Sequence, residues 1–219
     1  MKITMLIPTL AFGGAQNIVV GIAEEAQKQG HDVNILTFYG NNDYKHRLTA
    51  VGIQYYCLDY KYSFGLKDII RLKKLSNSLY RTIQEQSPDI IHTHLFLVKL
   101  ILNLGLRKLN YKIIDTQHDM SPWWKSIRLS SKLKTFVEYY YANYKANHVV
   151  AISKSVRKGV LDNFKLDGSK VTMVYNFVEP NPYQKKIRFI DFRKSFLKYF
   201  KKEILKLENH LGYNLKEWK

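Results

Sequence analysis

Short apolar runs alternate with segments of helical period along most of the chain, and that alternation admits few folds. Ile3-Thr4-Met5-Leu6-Ile7 is a nearly continuous apolar run closed by Pro8, the pattern of a strand covered on both faces. A loop with paired glycines, Gly13 and Gly14, follows. Beyond it Ile18, Val19, Ile22, Ala23 and Ala26 recur at helical spacing, and Gly30 supplies the stop. The unit then repeats. Strands are expected at 33–38, 53–58, 90–94, 112–116, 148–152 and 171–175, and helices at 15–29, 66–86, 95–109, 122–146 and 154–163. In the helix at 122–146, Leu133, Val137, Tyr140 and Tyr144 are expected to face inward. Strands that alternate with helices form a parallel sheet with right-handed crossovers and helices on both faces, an α/β domain expected over residues 1–180.

Residues 176–182 carry two prolines and two asparagines and read as a linker. Beyond them Phe189, Phe192, Phe196, Phe200, Ile204, Leu207 and Leu211 repeat at three- and four-residue spacing. That pattern predicts an amphipathic helix over 187–211 whose other faces carry Lys194, Lys198, Lys201, Lys202 and Lys206. The formal charge of +17 calls for an anionic partner. It is densest in residues 183–219, where 11 Lys or Arg face 4 Asp or Glu. No recognisable nucleic-acid-binding module accompanies it, so an anionic membrane surface or a phosphorylated small molecule is the expected partner. The tail helix is expected to dock back onto the α/β core through its apolar face or to lie on a membrane. In either case its basic face, with the turn Trp123-Trp124-Lys125, would give peripheral affinity for an anionic membrane. One cysteine, Cys57, permits no intrachain disulfide and fits a reducing compartment. The longest apolar block, 95–106, is too short for a membrane span and contains Lys99. A cytoplasmic location follows as the expectation.

In parallel α/β sheets ligands bind outside the carboxyl ends of the strands. The Gly13-Gly14 turn, His94, the segment Gln117-His118-Asp119 and Ser153 all fall at such ends. The glycine turn places backbone N–H groups at a helix N-terminus, which favours an anion. It carries neither the G-x-G-x-x-G spacing of a dinucleotide site nor the G-K-[ST] of a P-loop. Ser153 has the composition of a helix cap.

Five segments in order resemble the N-terminal half of the family 4 glycosyltransferases. They are Ile3 to Pro8 with Gly13-Gly14-Ala15-Gln16; Ser87-Pro88-Asp89-Ile90-Ile91-His92-Thr93-His94; and Thr116-Gln117-His118-Asp119. Val149-Val150-Ala151-Ile152-Ser153-Lys154 and Lys170-Val171-Thr172-Met173-Val174-Tyr175-Asn176 complete the set. The resemblance implies a Rossmann-like domain of the GT-B architecture, in which an N-terminal acceptor domain and a C-terminal donor domain enclose the site. It implies transfer of a hexosyl group from a nucleotide sugar to a glycan or lipid-linked acceptor, with retention and without a metal or other cofactor. By the same resemblance His118 would stand beside the transferred sugar as the catalytic residue. Gly13, Gly14, Gln16, His94, Asp119, Ser153 and Asn176 would contribute to binding the substrate or donor.

Two departures bear on activity. Asn176-Phe177-Val178-Glu179 stands where the family usually has Asn-Gly-Val-Asp. No two glutamates stand eight positions apart, so the E-x7-E signature of the donor domain is missing from these residues, as are its strands. The expectation is an acceptor-binding half, inactive alone and completed by a second chain if it is active at all. The alternative is a non-catalytic glycan- or lipid-binding fragment, or a degenerate truncated enzyme.

Overall fold

The computed structural model describes residues 1–61, 68–105, 111–120, 123–124 and 126–176. The amphipathic segment at 187–211 and all of the expected linker but Asn176 lie outside the described residues. Seven strands form one sheet: β1 (Lys2–Leu6), β2 (Asp32–Thr37), β3 (Gln54–Cys57), β4 (Ile90–His94), β5 (Lys112–Gln117), β6 (His148–Ala151) and β7 (Val171–Met173). Their order is β3-β2-β1-β4-β5-β6-β7, and every pairing is parallel. The helices between them are α1 (Gly14–Lys28), α2 (Lys45–Ala50), α3 (Asp68–Gln86), α4 (Phe96–Leu104), α5 (Leu129–Tyr140) and α6 (Lys154–Phe164). This is a Rossmann-like domain, as the alternation predicts. Strand order reverses direction between β1 and β4, where the two connections leave the sheet on opposite sides and open a crevice.

Strand period decides which residue faces which layer. Ile3, Met5 and Ile7 alternate onto the α1 side, with Ile18, Val19, Ile22 and Ala23 of α1 and Val33 and Ile35 of β2. Leu6, Leu36 and Ile91 face the opposite layer, against Leu75, Leu79 and Ile83 of α3 and Val98, Ile101 and Leu102 of α4. The polar Thr4 turns to the same side, where its hydroxyl donates to Gln86 Oε1 at 3.2 Å. Both layers are thus closed by apolar side chains.

Three features differ from the sequence expectation. Residues 45–50, to which the periodicity assigns no element, form the short helix α2, which buries Leu48 in the α1 layer. The helix expected over 122–146 begins only at Leu129 and ends in a π-helical turn, Tyr141–Lys145. Its expected inner face is also reversed: Leu133, Tyr140 and Tyr144 are exposed and Val137 is half-buried, whereas Glu138, Tyr141 and Ala142 are buried. The reason is electrostatic. Lys99 is buried in α4 and needs counter-charges, and Glu138 supplies one only with its face of the helix turned inward, where Tyr141 and Ala142 also pack into the core.

Candidate active site

A cleft of about 310 Å³ opens at the strand-order reversal, walled by Pro8 beyond β1, Leu95 to Leu97 beyond β4, and Gln117 to Asp119 at the end of β5. Thr116, Trp123, Lys99 and Glu138 complete it among the described residues. The side chains reach it because three neighbouring strands end there. Leu95 makes the turn from β4 into α4 with φ at 69° and ψ at 157°, a region that a non-glycine residue enters only under strain. That turn separates buried His94 from Phe96 on the cleft wall.

His118 lines the cleft and His94 lies behind it, fully buried, with His94 Nδ1 and His118 Nε2 2.9 Å apart. His92 is stacked obliquely on His94 at 4.2 Å between ring centroids, and its Nε2 is 2.7 Å from Thr116 Oγ1. Burial is the main cause that depresses all three histidines: His92 to about 3, His118 to about 4, and His94 well below its ordinary value. The nearby Lys99 ammonium acts in the same direction on His94 and His118. The three rings are therefore neutral at physiological pH. In the His94–His118 bond one neutral ring donates and the other accepts. One of the two outer nitrogens, His94 Nε2 or His118 Nδ1, then carries a proton and the other is bare. Both outer nitrogens are buried without a hydrogen-bond partner among the described residues, a condition that buried polar atoms rarely tolerate. Exchanging the tautomers of the pair lets His118 Nδ1 act as donor or acceptor with no net charge placed in the protein.

Behind the cleft lies a polar cluster that the sequence reading did not identify. Lys99, Asp115 and Glu138 are each no more than 2 % exposed. Lys99 Nζ stands 3.0 Å from Asp115 Oδ2 and 3.5 Å from Glu138 Oε1, and it also donates to Gln117 Oε1. Thr93 Oγ1 donates to Asp115 Oδ1 at 2.9 Å and receives the Tyr141 hydroxyl at 3.1 Å. Glu138 Oε2 accepts both indole N–H groups, from Trp123 at 2.9 Å and from Trp124 at 2.7 Å. Burial alone would lower the Lys99 pKa, but the two carboxylates outweigh it and hold the ammonium above its ordinary value. Asp115 is pushed up by burial, which exceeds the opposing pull of Lys99 and Thr93. One ammonium serving two carboxylates explains both directions. The signal was present in the sequence: a lysine inside an apolar helix and an aspartate in the middle of a buried strand each demand a partner.

The remaining expected site residues are placed as follows. Asp119 lines the cleft beside His118. Gly13 and Gly14 stand at the N-terminus of α1, which has no side-chain cap and no acidic residue in its first turn. Among the described residues a Cβ on Gly13 would meet only the flexible amide end of Gln16 and one on Gly14 nothing within 4 Å, so their packing does not require either glycine. Ser153 caps α6, accepting from the Val156 N–H at 3.2 Å. Asn176 lies just beyond β7. Of the expected residues, the structure brings His94, His118 and Asp119 together. Gly13, Gly14, Gln16, Ser153 and Asn176 are not among the residues that wall the described cleft.

Among solved structures, HepE of Anabaena in complex with UDP and glucose superposes with a TM-score of 0.62 at 18% identity, over 90% of this chain and 50% of that one. A glycosyltransferase of Rickettsia africae gives 0.58 at 21% identity, over 91% and 49%. The lipopolysaccharide outer core galactosyltransferase WaaB gives 0.60 at 18%, over 85% and 50%. The chain thus spans about half the length of the structures it resembles. No curated protein matches its sequence. The sequence profile of Glycosyltransferase Family 4 matches residues 12–181, from the glycine turn of β1–α1 to beyond β7. With that match over most of its length, on the Rossmann-like sheet and cleft described above, the chain belongs to glycosyltransferase family 4.

Proposed function

We propose that the chain is the acceptor-binding half of a nucleotide-sugar-dependent glycosyltransferase that transfers a hexosyl group, with retention, to a glycan or lipid-linked acceptor. The observation that carries the reading is the neutral His94–His118 pair at the cleft of a family 4 domain. His118 would stand against the sugar from the cleft wall, and a shift of its ring would bring the buried Nδ1 to a hydroxyl as donor or acceptor. His94 would set its tautomer and orientation from behind, as a positioning residue. A neutral imidazole suits this role, because it stabilises developing charge in the transition state without a competing anion of its own. Trp123 supplies an apolar wall for a sugar ring, held by the Glu138 carboxylate and by Lys134, whose ammonium lies 4.9 Å from the ring centroid. The uncapped start of α1 at Gly13 and Gly14 would face the donor diphosphate through backbone N–H groups. HepE supports the donor class, since it was crystallised with UDP and glucose.

A nucleotide sugar needs groups beyond this cleft to be oriented, and orientation can account for about 7–11 kcal/mol of a barrier. The chain alone is accordingly expected to bind acceptor and not to turn over. The purified chain, its His118→Gln variant and its Trp123→Ala variant are each incubated with radiolabelled glycan and lipid-linked oligosaccharide extracted from cell envelopes. Retention by wild type, about tenfold weaker in both variants with melting temperatures preserved, is the expected result. Equal retention by all three proteins would remove the cleft from acceptor binding. Saturable sugar transfer from a labelled nucleotide sugar, with no second protein, would refute inactivity alone.

A further inference from the structure

The outward face of α5 carries an apolar stripe that no other described residue covers. Leu129, Leu133, Phe136, Tyr140 and Tyr144 follow one another at steps of four, three, four and four residues, which at about 100° per residue confines them to an arc of about 80°. Tyr144 continues the line because its ring packs on Tyr140 at 5.0 Å across the π-helical turn, and Tyr140 in turn faces Phe136 at 6.4 Å. With Ile127 just before the helix, five of these six residues are 59 to 89% exposed and Tyr140 is 39% exposed. A scattered surface leucine needs no explanation, but six large apolar side chains in one file on a solvent face do.

Charge selects the occupant. The exposed basic residues on and beside this helix are Arg128, Lys132 and Lys134, with Lys145 half-buried at its end. Its one acidic residue, Glu138, is buried on the opposite side and paired with Lys99. The outer face of α5 is thus basic and apolar together. A second copy of the chain would bring the same basic face, and the chain's own residues 183–219 carry 11 Lys or Arg against 4 Asp or Glu. Both are repelled. Tyrosine, phenylalanine and leucine in one line between lysines match the boundary between headgroups and acyl chains. We propose that the outer face of α5 is a docking surface for an anionic lipid bilayer. The surface is independent of the reading of the cleft. It is also distinct from the basic tail, to which the sequence alone would assign membrane attachment. Because α5 contributes Glu138 to the cleft from its inner face, docking through its outer face would hold the cleft one helix thickness from the lipid.

The test is co-sedimentation of the full chain with vesicles of phosphatidylcholine alone and of equimolar phosphatidylcholine and phosphatidylglycerol, at low and high salt. Three proteins are compared: wild type, the double variant Leu133→Asp with Phe136→Asp, and the tail variant Lys198→Glu with Lys202→Glu. The stripe residues are exposed, so thermal melts of the double variant should match wild type. Wild type should bind the anionic vesicles, weakly or not at all the neutral ones, and less at high salt. The stripe variant should bind at least about tenfold more weakly than wild type. Undiminished binding by the stripe variant, with loss confined to the tail variant, would overturn the assignment. So would absence of binding to anionic vesicles, or a wild-type dimer in sedimentation equilibrium that the stripe variant dissolves.

Discussion

Replacing Lys99 with methionine isolates the buried cluster behind the cleft. Methionine keeps most of the stem volume that packs within α4, so the change removes a charge without opening a large cavity. Asp115 and Glu138 would then share the interior with no cation between them, where Lys99 now lies 3.0 and 3.5 Å away. Breaking a buried pair by removing one partner costs about 3–5 kcal/mol. At about 2–4 °C per kcal/mol for a domain of this size, the melting temperature should fall by about 6–20 °C. Acidity gives the loss a signature. Asp115 already has a raised folded pKa, and without Lys99 it rises further, so the folded variant holds a proton that the unfolded chain releases. Stability of the variant is therefore lowest above that pKa and recovers as pH falls, and the gap to wild type narrows from pH 8 to pH 5. Adding Glu138→Gln should return on the order of 1–2 kcal/mol, because the amide oxygen still accepts the two indole N–H groups while the unpaired charge is gone. Urea titrations of the three proteins at several pH values measure all of this. A loss below about 1 kcal/mol for Lys99→Met, or a gap that widens on acidification, would refute the electrostatic account of the cluster.

The histidines make the fold acid-labile. Their folded pKa values are lowered, so their contribution is fully present above the unfolded value near 6.5 and is lost as pH falls toward about 4. His118 alone should account for roughly 3 kcal/mol of that loss. Stability curves from pH 7.5 to 4.5 should flatten in His118→Gln, and a parallel curve would show that the ring already takes up its proton in the fold. Gly159→Ala tests the seat of Trp124, since a Cβ there would lie 2.7 Å from the indole ring. The ring cannot yield without loosening its bond to Glu138, so a cost of about 1–3 kcal/mol is expected, with a change in tryptophan fluorescence. An unshifted emission spectrum and an unchanged melt would show that the indole has room to move.

The sequence determined the layer plan. Apolar runs at β1, β4, β5 and β6, each followed by a segment of helical period, leave a parallel sheet as the arrangement that buries both faces of every strand. Helix α1 and strand β4 fall almost where the periodicity puts them, because local pattern and tertiary burial agree there. The position of His118 at the end of β5 was legible for the same reason. The tertiary structure alone decided what the polar residues inside that plan do. That His118 bonds His94 across the β4–β5 pair, leaving two outer nitrogens without partners, depends on strand register, and one sequence does not specify register. Strand period places Asp115 inside, but it does not reveal that Lys99 of α4 and Glu138 of α5 converge on it from elsewhere in the chain. The face of α5 shows the conflict most plainly. Periodicity turns Leu133, Tyr140 and Tyr144 inward, yet the cost of a lone buried charge ties Glu138 to Lys99 and rotates that stripe to solvent. Hydrophobic pattern carries the fold where burial is the only term, and it fails where a partner distant in sequence satisfies a buried charge.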